Sequence, residues 1–124
     1  MSFAGKRYWL VGASEGLGLA LAQQMHRAGA SLILSARSAE RLDAACATLP
    51  GAIAVPLDVS DGAAVTAAAA QIGPIDGMVW LAGVYTPMPA DRLDVAAFAQ
   101  MCDVNFTGCA RVLGAVLPAM VARG

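Results

Sequence analysis

The sequence is poor in charge: eight Lys and Arg with nine Asp and Glu make up 14% of 124 residues and leave a net charge of −1. An ordinary soluble domain carries about a quarter of its residues charged. The basic residues form no run and aromatics are 6%. Nothing therefore offers the phosphate-neutralising surface of a nucleic-acid binder, and no nucleic-acid partner is expected. Histidine occurs once, at His26, and the three cysteines Cys46, Cys102 and Cys109 have no ligand spacing, so no metal site is expected. Their odd number also argues against a disulfide framework. No window reaches about 18 uncharged apolar residues, so neither a transmembrane helix nor a membrane partner is expected. Lys6 and Arg7 precede an apolar stretch that ends in Ala20-Leu21-Ala22, in the manner of a signal peptide. Glu15 and three glycines interrupt it, which disfavours secretion and makes a cytoplasmic location the expectation.

What the sequence does have is apolar residues, 58% of the total, with 13 glycines and 6 prolines as punctuation. Such a chain must bury much of its length, and its size suits a single domain over residues 1–124. Tyr8-Trp9-Leu10-Val11 reads as a strand closed by Gly12, and Leu17 to Ala28 then carries apolar residues at helical spacing until Gly29. Ser31 to Ser35 is a second strand, and Ser38 is an N-cap candidate for a helix that ends before Pro50-Gly51. Residues 52–57 read as a third strand, which Pro56 marks as an edge. Ser60 or Asp61 can cap a helix over 63–72, stopped by Gly73-Pro74, and residues 77–82 form a fourth apolar run. Asp94 can open one long final helix to about Ala122, apolar on nearly every face and kinked at Pro118.

Alternating strands and helices with right-handed crossovers predict an α/β, three-layer, Rossmann-like doubly wound parallel sheet. With the first strand central, the order is 3-2-1-4, and ligands bind at the switch between strands 1 and 4. The turn from Gly12 through Ala13, Ser14, Glu15, Gly16 and Leu17 to Gly18 lies at that switch, between a strand and a helix. Backbone N–H groups and the positive end of the helix dipole there suit a pyrophosphate. About 20 residues on, where a dinucleotide fold places the group that touches the adenosine ribose, an acid would favour NAD. This chain has Ser35-Ala36-Arg37-Ser38 instead. Arg37 can grip a 2′-phosphate, so NADP is the expected cofactor and NAD the less favoured one.

Taken together these motifs resemble the N-terminal half of a short-chain dehydrogenase/reductase. The family's T-G-x3-G-x-G pattern is matched at Gly12, Gly16 and Gly18, with Val11 in place of threonine. Leu57-Asp58-Val59 resembles the family's Asp-Val pair, which implies that Asp58 accepts a bond from the adenine amino group and that Val59 packs on the ring. The family's Asn-Asn-Ala-Gly becomes Trp80-Leu81-Ala82-Gly83, which keeps Ala82 and Gly83 as cofactor-binding positions and loses both asparagines. Asn105 matches the helix asparagine that helps to hold a proton-relay water, the one catalytic-type position implied.

The family's chemistry also uses a serine and a Tyr-x-x-x-Lys. The chain has one lysine, Lys6, and the residues four beyond Tyr8 and Tyr85 are Gly12 and Pro89. The resemblance thus implies a chain truncated before the fifth strand: the NADP(H)-binding half of an oxidoreductase for carbonyl or alcohol substrates, inactive alone. The alternative reading is a non-catalytic nucleotide-binding or interaction module that retained the fold. The crowded apolar final helix and the unpaired edge of the fourth strand predict a homo-oligomer, or a complementing C-terminal half, as partner.

Overall fold

A computed structural model describes residues 2–124. The chain runs β1 (Arg7–Val11), α1 (Gly16–Arg27), β2 (Ser31–Ser35), α2 (Ala39–Ala47), β3 (Ile53–Ala54), α3 (Gly62–Ile72), β4 (Gly77–Trp80), α4 (Val95–Cys102) and α5 (Gly108–Arg123). The four strands form one parallel sheet in the order β3-β2-β1-β4, as the alternation of elements predicts.

Strand alternation sorts the core into two layers. On one face Trp9, Val11 and Ile33 meet Val65, Ala68 and Ile72 of α3 and Val112 and Val116 of α5. On the other, Leu10, Leu32 and Leu34 meet Ala22 and Met25 of α1 and Leu42 of α2. The one polar residue in the core is Ser35, whose hydroxyl accepts a 2.8 Å hydrogen bond from Trp9 Nε1. That bond joins β1 to β2 where a bare indole N–H would be costly to bury. Arg7 extends the framework, its guanidinium donating to the carbonyls of Ile72 and Pro74 between α3 and β4.

Capping follows local chemistry. Ser38 accepts from Arg41 N at 3.3 Å, Asp94 from Ala97 N at 3.0 Å, and Asp61, of the two candidates, from Ala64 N at 3.1 Å. The third strand is shorter than expected, since only Ile53 and Ala54 count as ladder residues. Its extended path nevertheless continues, with Val55 N and Leu57 N donating to Leu34 O and Ala36 O, each at 2.9 Å. Pro56, between them, has no N–H to offer and sits where the outer edge requires none.

The expectation of one uninterrupted final helix needs correction. A π-turn over Asp103–Thr107 separates α4 from α5, and Pro118 is accommodated inside α5. A 3₁₀ turn at Ala90–Arg92, which no apolar period signals, precedes α4. The uncharged-window argument also understated this region: Val95–Arg123, 29 residues, is long and apolar enough to cross a membrane by length and composition. Asp103 and Arg111 interrupt it and bond to each other at 2.6 Å, while Val104, Val112 and Val116 are buried against the sheet. It is thus the core helix of an α/β layer, with an exposed outer face that includes Phe106, Leu117 and Val121.

This division predicts opposite outcomes on one helix layer. Leu42→Ala, at a fully buried site, should lower unfolding free energy by about 2–5 kcal/mol in urea titration. Leu117→Asp, at a position 44% exposed, should change it by no more than about 0.5 kcal/mol.

Candidate dinucleotide site

At the carboxyl end of the sheet, between β1 and β4, lies a cleft of about 320 Å³, a volume in the range of small-molecule sites. Its floor is built by close backbone contact. Gly12 has φ +97°, and a Cβ there would fall 2.6 Å from the Leu81 carbonyl carbon. A Cβ on Gly18 would lie 2.9 Å from Ala13 Cα, so α1 can start hard against the end of β1 only with glycine at both places. Gly12 N is anchored by Ser35 O at 2.8 Å.

Helix α1 begins without a side-chain cap, because the carboxylate of Glu15 at the N-cap position bonds elsewhere. Its first-turn N–H groups therefore remain available to an anion, which is the fit a pyrophosphate requires. Of the residues singled out in the sequence, Gly12, Ser14, Glu15, Leu17 and Gly18 line the cleft on one side. Arg37, Val59, Ala82 and Gly83 line it on the other. Gly16 is exposed on the same turn but outside the lining. Asp58 and Asn105 also fall outside it.

Asp58 sits exposed between the buried Leu57 and Val59, and its Oδ1 accepts from Ser60 Oγ at 2.7 Å and Ser60 N at 3.0 Å. These two bonds, the side-chain one foremost, hold its carboxyl below the usual carboxylate value, with a smaller contribution from Arg37 and Arg111. Arg111 donates to Val59 O at 3.0 Å while paired with Asp103, so α5 fixes the backbone of the residue that forms this wall of the cleft.

Asn105 stands behind the cleft, in the π-turn. Its Oδ1 accepts from Val84 N at 2.7 Å and its Nδ2 donates to Val84 O at 2.8 Å. That reciprocal pair clamps the loop after β4, which lacks the two asparagines of the family pattern. Trp80, in place of the first, is half-buried and packs on the core beside Gly108, and Leu81 lines the cleft. Two polar lining residues were missed by sequence reasoning, Ser38 and Arg41. Helical spacing from the Ser38 cap was the available signal for Arg41, one turn in from Arg37.

An open cleft at the switch point of a parallel sheet, floored by glycine backbone at a helix start, defines a dinucleotide-binding α/β protein of the Rossmann type. Comparison with known proteins narrows the class: the chain matches the short chain dehydrogenase family over residues 6–124, and it belongs to that family. It is 36% identical over 123 residues to a 3-dehydrosphinganine reductase of Arabidopsis thaliana, covering 95% of this chain and 37% of that protein. It is 31% identical over 121 residues to the L-xylulose reductase of Homo sapiens, covering 98% and 50%. Among solved structures, a short chain dehydrogenase/reductase family protein superposes with a TM-score of 0.94 at 34% identity, covering 99% of this chain and 53% of that one. A short-chain type dehydrogenase/reductase from Mycobacterium marinum gives a TM-score of 0.93 at 28% identity, covering 98% and 53%. The chain thus spans about half or less of the length of these relatives.

The Asp58 geometry carries a pH signature. A carboxyl held below its unfolded value contributes stability that is complete above the unfolded value, about 3.9. The contribution is lost as pH falls through the lower folded value. Asp58→Asn keeps the Oδ1 acceptor and removes the titration, so its unfolding midpoint should fall less steeply below pH 4 than that of the unmodified chain.

Proposed function

We propose that the chain is the NADP(H)-binding half of a short-chain oxidoreductase acting on a carbonyl or alcohol substrate. The observation that carries this reading is Arg37 at the rim of the cleft beyond β2, where an acid would serve a ribose diol. In this reading the α1 N-terminus binds the pyrophosphate, Arg37 the 2′-phosphate, Val59 the adenine face, and the free Oδ2 of Asp58 the adenine amino group. Ala82 and Gly83 admit the rest of the cofactor along the exit of β4. The bound cofactor would supply hydride to a carbonyl carbon. Asn105 would contribute to a proton relay by way of its backbone, since both polar ends of its side chain are committed to Val84.

Arg37→Ala should weaken NADPH by roughly 10- to 100-fold, the loss of one charge-assisted interaction of about 1.5–3 kcal/mol, and leave NADH nearly unchanged in calorimetric titration. Equal losses for both cofactors would remove Arg37 from the 2′-phosphate.

Chemistry by these 124 residues is a separate matter. A Tyr-x-x-x-Lys is lacking, and a positioned general acid is worth about 10²–10⁴ in rate. The chain alone should therefore reduce no carbonyl compound with NADPH. Turnover by homogeneous protein of verified mass would show that another residue, such as the exposed Tyr85, protonates the alkoxide.

For partners we propose self-association, or docking of a complementing C-terminal half, through the outer face of α5 and the open edge of β4. Val116, which a reading of the helix as apolar all round would place on that surface, is buried and cannot report on it. Leu117 and Val121 are exposed. The variant Leu117→Asp should lower the light-scattering mass at micromolar concentration while keeping the thermal midpoint of the monomer.

A further inference from the structure

Glu15 and Arg41 meet across the rim of the cleft, at the end that also presents Arg37 and Ser38. Arg41 NH1 lies 3.3 Å from Glu15 Oε1 and 3.4 Å from Oε2. One guanidinium nitrogen thus serves both oxygens, which is not the parallel two-nitrogen fork that makes such pairs strong. Both side chains are largely exposed, 65% for Arg41 and 71% for Glu15. A pair of this kind is weakly held. The backbone of Arg41 is nonetheless fixed, since its N–H donates to Ser38 Oγ. Its guanidinium can therefore swing about a stationary base, one helical turn from Arg37.

We propose that Glu15 competes with the cofactor's 2′-phosphate for Arg41, and that this competition sets how strongly the chain prefers the phosphorylated cofactor. The inference rests on the NADP reading above and goes beyond it, since it concerns two residues with opposing effects on one anion. A phosphate monoester carries about −1.5 to −2 charges and three acceptor oxygens, so it draws Arg41 away from a single carboxylate. Glu15 is then left unpaired beside a dianion, a like-charge contact that opposes binding. A cofactor with a plain ribose diol brings no such charge, and the pair stays closed. Arg41 thus favours the phosphorylated cofactor while Glu15 moderates the preference. Glu15 is free for this role because it makes no capping bond to its own helix.

The test is calorimetric titration of the chain with adenosine 2′,5′-bisphosphate and, in parallel, with 5′-AMP. Glu15→Gln should tighten the bisphosphate by about three- to fivefold and leave 5′-AMP within about twofold. Arg41→Ala should weaken the bisphosphate by about three- to tenfold, and in that background the gain from Glu15→Gln should shrink below about twofold. Both side chains are exposed, so the variants are expected to retain the thermal midpoint. An unchanged or weaker bisphosphate affinity in Glu15→Gln overturns the proposal, as does a gain of the same size with Arg41 removed. If Arg37→Ala still abolishes the preference for the bisphosphate in either of those cases, the NADP reading stands without this inference. A chain that never prefers the bisphosphate over 5′-AMP overturns both.

Discussion

Where β1 leaves the sheet, the backbone passes between the exit of β4 and the start of α1, and no side-chain atom fits at Gly12. That lack of room fixes three things together. β1 and β4 end at one level, so that Leu81 N can donate to Val11 O at 2.8 Å beyond the ladder. α1 starts against the end of β1, which requires Gly18 to be bare as well. The cleft between the two strands is consequently floored by peptide groups, which offer hydrogen bonds without the bulk or rotamer freedom of side chains. A ligand can come as near to the sheet as the backbone itself.

Around that floor the walls are made by distant parts of the chain, and each is tied down by a polar contact at the border of the apolar core. Arg111 reaches from α5 to Val59, Asn105 from the π-turn to Val84, and Ser35 from β2 to Trp9. The first two act on the backbone of lining residues, so a substitution there alters the cleft without touching what it binds. In a chain with few charges, these are concentrated on one side of the sheet at its carboxyl end: Glu15, Arg37, Arg41 and Asp58 all lie at or beside the cleft.

The order of strands and the position of the glycine turn were legible in the sequence because they depend on local signals: short apolar runs, caps and bare turns. Ser38, Asp61 and Asp94 act as caps where the sequence alone put candidates. Less legible were features decided across the sheet. β3 is a two-residue ladder because it is an outer strand with Pro56 in its path, although residues 52–57 read as one continuous run. The π-turn sits inside an unbroken apolar pattern, and the reciprocal bonding of Asn105 with Val84, 21 residues away, has no sequence signature. Val104, Val112 and Val116 could not be told from Phe106, Leu117 and Val121 by composition, since both sets are apolar and only packing against α3 and the sheet separates them. Arg41 escaped notice for a related reason: on the sequence it is one more charged residue on a solvated helix face.

The π-turn also acts as a phase shifter. Each residue of an α-helix turns the axis by about 100°, so the wider turn over Asp103–Thr107 resets the rotational position of everything after it. The reset lets Asn105 reach the β4 loop while Val112 and Val116 still meet the sheet. Losing one residue from the turn would rotate α5 by about that angle, bringing Leu117 round toward the place of Val116 and carrying Arg111 away from Val59. Length in these five residues is therefore under tighter constraint than identity: a substitution there costs a contact, whereas a deletion exchanges the wet and dry sides of a whole helix.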